Sequence, residues 1–201
     1  MRQIKNNKYK LMKKNNLYPI FLKMSQLQTL IVGGGNVALE KLTFLLKSSP
    51  DAKVTMVAPF FKDETKKLAD RFDVKCIAIA YDEAFLCDKD LIIAATNKTE
   101  INKRIYNDAK RRNLLINVAD TPELCDFYLG GIVTKGNIKI AISTNGKSPT
   151  MAKRLRQFFE AVIPDEIDDL ALNLNRYRKG IKGDFASKVT QLNKLTQSLV
   201  K

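Results

Sequence analysis

Between residues 27 and 118 the apolar positions fall into five short continuous runs, 27–32, 53–58, 74–80, 90–95 and 114–118, each of strand length. Between them, 37–48, 62–72 and 99–112 space their apolar residues three and four apart, the period of a helix with one buried face. Continuous runs indicate strands covered on both faces, and strands alternating with helices indicate parallel crossovers. The pattern predicts an α/β fold, a Rossmann-type doubly wound parallel sheet, over residues 17–118. After Asp120 the rhythm breaks. "DFYLGGIVTKGNIKIAISTNG" reads as two strands joined at Lys135-Gly136-Asn137, an antiparallel hairpin within a small central segment, 119–147. Residues 148–201 read as a helical C-terminal part, opened by Ser148 as N-cap with Pro149 behind it and punctuated by Pro164 and Gly183. Residues 1–16, rich in Lys and Asn and without periodicity, are expected to form a basic flexible arm.

The first apolar run leads straight into "LIVGGGNVALEK". Gly33-Gly34-Gly35-Asn36-Val37-Ala38 has the spacing G-x-G-x-x-A between a strand and a helix, the context of a dinucleotide turn. Gly33 permits the tight turn, Gly35 lets the backbone approach a pyrophosphate, and small Ala38 lets the helix pack close. Amides at the helix N-terminus then meet the phosphates; a purely structural turn is the competing reading. The second run should end in an acid about 20 positions on, to bond the ribose hydroxyls. It ends Val57-Ala58-Pro59-Phe60 with no Arg there either, so the choice between NAD and NADP stays open and ribose contacts fall to backbone groups around Pro59 and Phe60. The fourth run ends Ala94-Ala95-Thr96-Asn97, small residues that leave room for a nicotinamide ribose, and Thr99 reads as the N-cap of the next helix. The fifth delivers Asp120 to its carboxyl end, either as a turn residue before Thr121-Pro122 or as a general base.

Composition sharpens that last choice. The 201 residues include no histidine, which removes the commonest general base and a common metal ligand and leaves acid–base work to carboxylates, Lys, Tyr or Cys. Cys76, Cys87 and Cys125 suit neither a disulfide framework nor a zinc knuckle and are expected to be buried reduced thiols. No apolar stretch reaches the roughly 20 residues of a membrane span, and no signal-peptide core follows the basic N-terminus, so a cytoplasmic protein is expected. The formal charge of +14 would attract a polyanion, whether nucleic acid, an anionic surface or a small molecule rich in carboxylates or phosphates. No RNA-binding aromatic signature or zinc-finger spacing accompanies it, so no nucleic-acid partner is expected.

Taken together, "YPIFLKM", "LIVGGGNVALEK", "VTMVAP", "AATN", "NVADTPELCDF" and "IAISTNGKSPTMAKRLR" resemble, in order and spacing, the precorrin-2 dehydrogenase/sirohydrochlorin ferrochelatase family of sirohaem synthesis. The resemblance covers about residues 18–180. It implies oxidation of precorrin-2 to sirohydrochlorin with NAD and, in many members, insertion of Fe2+ into sirohydrochlorin, by a homodimer joined through the central segment. It implies that Asp120 is the essential carboxylate, taking the proton that accompanies hydride loss and, in chelation, accepting pyrrole protons or holding Fe2+ transiently. Nucleotide contacts carry over to the glycine turn with Asn36 and Val37 and to Pro59 and Phe60. The charge acquires a target, a polycarboxylate tetrapyrrole. Lys147, Lys153, Arg154 and Arg156 gather at the start of the first C-terminal helix, near Ser143 and Thr144, which lie beside the site in family members. That basic cluster reads either as ligands for substrate carboxylates or as a solvated face. "LGGIV" stands where members commonly have proline and larger residues, which implies a looser pocket floor and makes chelation the less secure half of the activity. A fused methyltransferase domain, present in some relatives, is not expected within 201 residues. From a different class, a non-catalytic dinucleotide-sensing regulatory module would need the glycine turn but not Asp120.

Overall fold

In a computed structural model, which describes residues 15–197, the five apolar runs become one parallel sheet. Its strands are Gln28–Val32 (β1), Lys53–Val57 (β2), Lys75–Ile77 (β3), Leu91–Ala94 (β4) and Leu115–Val118 (β5), in the order β3-β2-β1-β4-β5. The helices between them are Asn36–Ser48 (α1), Asp63–Arg71 (α2) and Thr99–Arg111 (α3). Successive strand residues point to opposite faces, so Ile31, Met56 and Ile93 pack against Ala38, Leu42 and Leu46 of α1 on one side. Leu30, Val32, Ile92 and Ile116 pack against Ile105 and Ala109 of α3 on the other. Full burial of each such side chain contributes about 1.5–3 kcal/mol, so the two covered faces dominate the stability of this layer. Strand order reverses between β1 and β4, which opens a crevice at their carboxyl ends.

Three local expectations need correction. β3 is three residues long rather than filling 74–80, because after Ala58 N–H bonds Ile77 O the chain folds back through Ile79 N–H to Ile77 O, which ends the ladder. Thr99 is the first residue of α3 and not its cap; Lys98 holds the cap position without a side-chain bond. The cysteines are free but not buried as a set: Cys76 on the edge strand and Cys87 at the end of a 3-10 turn are exposed, and Cys125 is half-buried. The first compact unit ends at Leu129. The segment after β5 folds back along that strand's outer edge, with Asp126 N–H donating to Ile116 O (2.8 Å) and Ile116 N–H to Asp126 Oδ2 (3.1 Å). Asn117 Nδ2 adds a bond to Phe127 O (2.8 Å), so an edge that would otherwise stay unpaired is covered.

The second unit begins at Gly130. Gly131–Lys135 (β6) and Ile138–Ile142 (β7) pair antiparallel with Lys135 opposite Ile138, leaving Gly136-Asn137 as a two-residue loop. Gly136 has φ +56, the left-handed region that such a turn assigns to glycine. Three helices follow, Pro149–Val162 (α4), Ile167–Gly180 (α5) and Phe185–Thr196 (α6), with α4 on β6 and α5 on β7 and α6. Ser148 caps α4 by accepting Met151 N–H, and Asp184 caps α6 by accepting Ser187 N–H. Asp168, in the first turn of α5, accepts both the N–H (2.7 Å) and Nδ2 (2.8 Å) of Asn137, tying helix to hairpin. The three helices bury no residue completely and leave Phe158, Val162, Tyr177 and Phe185 exposed. Among the described residues no helix is long and apolar enough to cross a membrane.

Candidate functional site

The glycine turn leaves β1 at Gly33, whose φ of +136 is strained for any other residue and where a Cβ would strike the Ala95 carbonyl beyond β4. Gly34 is required for a different reason. A Cβ there would strike the Phe60 carbonyl and approach the Phe61 ring, while Gly34 O accepts Lys62 N–H (3.0 Å) and the Thr65 hydroxyl (3.3 Å). Both glycines thus answer to the loops that follow β2 and β4. At Gly35 a Cβ would meet nothing within 4 Å, and φ −91 with ψ −164 suits any residue. What glycine preserves at that position is open space in front of α1. The helix start has no side-chain cap and no acidic residue in its first turn, so its leading amides remain available to an external anion.

This turn forms part of a cleft of about 690 Å3 at the carboxyl ends of the strands. Gly33, Gly35, Asn36, Val37, Pro59, Phe60 and Thr96, the residues expected around the cofactor, all line it. Its size is that of an ordinary small-molecule pocket. The empty space at Gly35, the uncapped helix and a lining that holds no carboxylate among the described residues fit the pyrophosphate of NAD or NADP.

Several residues of this cleft were not legible in the sequence. Asn102 of α3, buried, holds the loop after β4: its Oδ1 accepts Thr96 N–H (3.2 Å) and the Thr96 hydroxyl (2.7 Å), and its Nδ2 donates to Thr96 O (3.0 Å). The Thr96 hydroxyl on the cleft wall is therefore engaged within the protein. Lys62 reaches across from the loop after β2 to Asn36 Oδ1 (2.6 Å), and Lys98 and Arg104 also line the cleft. Tyr81 stands beside Arg104, whose guanidinium lies 5.8 Å from the ring centre. The Tyr81 hydroxyl donates to buried Asp108 (3.0 Å), and burial, then that carboxylate, pushes the phenol well above its ordinary range. The one available signal was Lys62, the first charged residue after a strand end where an acid was expected.

Asp120 does not line the cleft but sits beside its wall. Val118 pairs with Ala94, and Ala119 N–H continues the ladder to Ala94 O (2.9 Å), which puts Asp120 level with the Ala95-Thr96 loop. Asp120 has φ +58, a left-handed turn conformation that aspartate tolerates better than most residues. Its carboxylate is exposed and, among the described residues, has no hydrogen-bond or ion-pair partner. Cys125 braces the turn from behind: its Sγ accepts Val118 N–H (3.2 Å) and lies within donating distance of Val118 O (3.2 Å) and Thr121 O (3.4 Å). Burial pushes this thiol upward, so it stays a protonated donor. Among the described residues no cluster of three or more His, Cys, Asp or Glu is poised to hold a metal ion.

The residues expected at the substrate lie in the second unit. Ser143 Oγ accepts Asn145 N–H (3.1 Å), and Thr144 Oγ1 accepts Ser148 N–H (3.2 Å), so both shape the loop that starts α4. Lys147 is exposed, and Arg154 donates to the neutral amide of Gln157 (3.1 Å). Arg156 pairs with Glu160 along α4, which removes it from the free cations of that cluster.

Residues 20–131 match a family model described as "Putative NAD(P)-binding", and residues 135–161 match one described as "Sirohaem biosynthesis protein central". The siroheme synthase of Pseudoalteromonas atlantica is 37% identical over 170 residues, 85% of this chain and 36% of the relative. That of Psychrobacter cryohalolentis is 37% identical over 177 residues, covering 88% of this chain and 33% of the relative. The chain thus spans about a third of the length of these relatives. Among solved structures, "SirC, precorrin-2 dehydrogenase" matches with a TM-score of 0.73 over 89% of each chain, at 21% identity, a likeness of fold.

Proposed function

The chain belongs to the NAD(P)-binding family whose model spans residues 20–131, and from that premise we propose that it oxidises precorrin-2 to sirohydrochlorin with NAD in sirohaem biosynthesis. One observation carries this reading: Asp120, a carboxylate without a partner among the described residues, stands at the carboxyl edge of the sheet that forms the cleft, in a chain without histidine. The similarity to siroheme synthases supports the substrate.

Bound NAD supplies the hydride acceptor. The amides at the start of α1 and the open approach at Gly35 hold its pyrophosphate, and Asn102 fixes the Thr96 loop beside it. Oxidation removes a hydride and a proton from the macrocycle; Asp120 takes the proton and releases it to solvent from its exposed turn. Lys147, Lys153 and Arg154 near the capped start of α4, with Ser143 and Thr144, engage the substrate carboxylates. Insertion of Fe2+ is proposed as a second activity, with Asp120 accepting pyrrole protons or holding the ion briefly as a hard oxygen ligand. The apolar residues exposed on α4, α5 and α6 support a homodimer, and we place the protein in the cytoplasm.

The test is anaerobic absorbance spectroscopy with freshly prepared precorrin-2, NAD and then Fe2+, on the protein and on Asp120→Asn. Asparagine adopts the same left-handed turn, so the variant should fold. NAD-dependent formation of sirohydrochlorin, reduced by about a hundredfold or more in the variant, is expected. An unchanged rate in the variant would remove Asp120 from the role. A protein that binds NAD yet oxidises no faster than a protein-free control would be a dinucleotide-sensing module and not the enzyme.

A further inference from the structure

We infer that a pocket formed by the end of α5 and the start of α6 binds a small polyanion built on a planar ring. Arg178, Lys179 and Lys188 meet its charges, and Phe185 lies against its ring. The pocket measures about 450 Å3 and is lined by Asn175, Arg178, Lys179, Gly183, Phe185 and Lys188, all of the second unit. None of them lines the cleft at the carboxyl ends of the parallel strands, and the inference does not rest on the proposed oxidation. Local sequence builds this pocket. Ile181 is buried and donates its N–H to Tyr177 O (3.2 Å), which anchors the chain as it leaves α5. Gly183 then takes φ +118, a conformation that L side chains rarely adopt, and the chain turns into α6 with Phe185 and Lys188 on the pocket wall.

Cations in the last turn of a helix complement its carbonyl end, which by itself accounts for Arg178 and Lys179. It does not account for Lys188. That residue stands in the first turn of α6, where the helix dipole disfavours a cation, and it is half-buried in a pocket already lined by two like charges. Among the described residues none of the three forms an ion pair, and no acid lines the pocket. The acids of α5, Asp168 and Asp169, stand in its first turn, at the opposite end from Arg178. Asp184 adjoins the pocket without lining it, and its carboxylate is engaged as the cap of α6, accepting Ser187 N–H (2.9 Å). Three positive groups around one cavity sum to a potential that an anion of two or more charges would offset. Arg178 supplies a planar fork for two oxygens of one carboxylate or phosphate. Phe185 is 71% exposed on the pocket wall, which leaves a ring face open to stacking. The Asn175 amide, without a bond among the described residues, adds a neutral donor. Two kinds of molecule share the matching chemistry, a nucleoside polyphosphate and a polycarboxylate on a planar macrocycle.

The experiment is calorimetry on the whole chain with ATP, inorganic triphosphate and uroporphyrin, each titrated in excess ADP-ribose so that the dinucleotide cleft is already filled. Triphosphate has charge without a ring, and uroporphyrin carries its carboxylates on a planar macrocycle. At least one ring compound should bind about fivefold or more tighter than triphosphate, the contribution of one stacked ring. Lys188→Gln should weaken that compound about tenfold, the loss of one charged hydrogen bond, and Phe185→Ala should bring it down to the level of triphosphate. Both variants should bind ADP-ribose alone as the wild type does, which separates this site from the cleft. Whichever ring compound behaves in this way identifies the source, nucleotide or macrocycle. The wild-type comparison of the three probes decides the matter even if a variant folds poorly. Triphosphate binding as tightly as both ring compounds would leave an ordinary basic surface and overturn the inference. It falls equally if neither ring compound binds, or if the binding of both is unmoved by Lys188→Gln and Phe185→Ala.

Discussion

Gly34→Ala and Gly35→Ala alter neighbouring residues and should fail in opposite ways. At Gly34 the added carbon falls within 3.0 Å of the Phe60 carbonyl carbon and 2.9 Å from Phe61 Cδ1. Backbone cannot yield as a flexible side-chain tip would, so the loop bonded through Lys62 N–H to Gly34 O must shift. Overpacking of this kind costs about 1–3 kcal/mol. At Gly35 the backbone already suits alanine, and nothing lies within 4 Å. Reduced freedom of the unfolded chain favours alanine by about 0.4–1 kcal/mol. The preference of helix N-caps for glycine over alanine opposes it by a similar amount, so stability should move by less than about 1 kcal/mol. The methyl group nevertheless occupies the approach to the helix amides. Losing one hydrogen bond to a charged phosphate, about 1.5–3 kcal/mol, should lower NAD affinity about ten- to a hundredfold. Urea unfolding and calorimetric titration with NAD, both run on both variants, separate the two effects. Wild-type NAD affinity in Gly35→Ala, or a wild-type unfolding midpoint in Gly34→Ala, would refute the reasoning.

Asn102→Leu removes three bonds to Thr96, each worth about 0.5–1.5 kcal/mol, so it should cost about 2–4 kcal/mol in urea unfolding and weaken NAD binding. A loss below about 1 kcal/mol would mean the loop is held by other contacts. Cys125→Ala should destabilise by about 1–3 kcal/mol by stranding Val118 N–H, whereas Cys125→Ser keeps an acceptor there and should lose less; equal losses would point to packing instead of bonding. Asp168 is held below the usual carboxylate range by the Asn137 N–H and then by the Asn137 side chain. Its support for the hairpin is therefore fully present above the unfolded value of about 3.9 and is lost as pH falls through the lower folded value. Asp168→Asn should flatten that part of the stability–pH profile, and an unaltered slope would count against the assignment.

Much of the fold was legible because it rests on short-range pattern. The period of apolar residues placed β1, β2, β4 and β5 and all three helices of the sheet layer within a residue or two. Ser148-Pro149 marked the start of α4, and Gly136 marked the hairpin loop, because caps and tight turns are settled by residues one to four apart. Gly33 and Gly35 were recognisable from spacing alone. The reason for Gly34 was not, since the atoms that exclude a side chain there belong to Phe60 and Phe61, brought up by the neighbouring strand.

Distance along the chain also hid Lys62 against Asn36, Cys125 beneath the Asp120 turn, and the return of residues 119–129 along β5. The cysteines were misjudged because burial depends on strand order, and only the sheet shows β3 at an edge. Thr99 was misplaced by one residue because either Lys98 or Thr99 could begin the helix, and Thr96 had already folded that loop around Asn102. Sequence determined which elements form and which residue types are available for chemistry. Tertiary structure decided which of them stand within bonding distance, because those contacts join segments whose separation leaves no periodic trace in the chain.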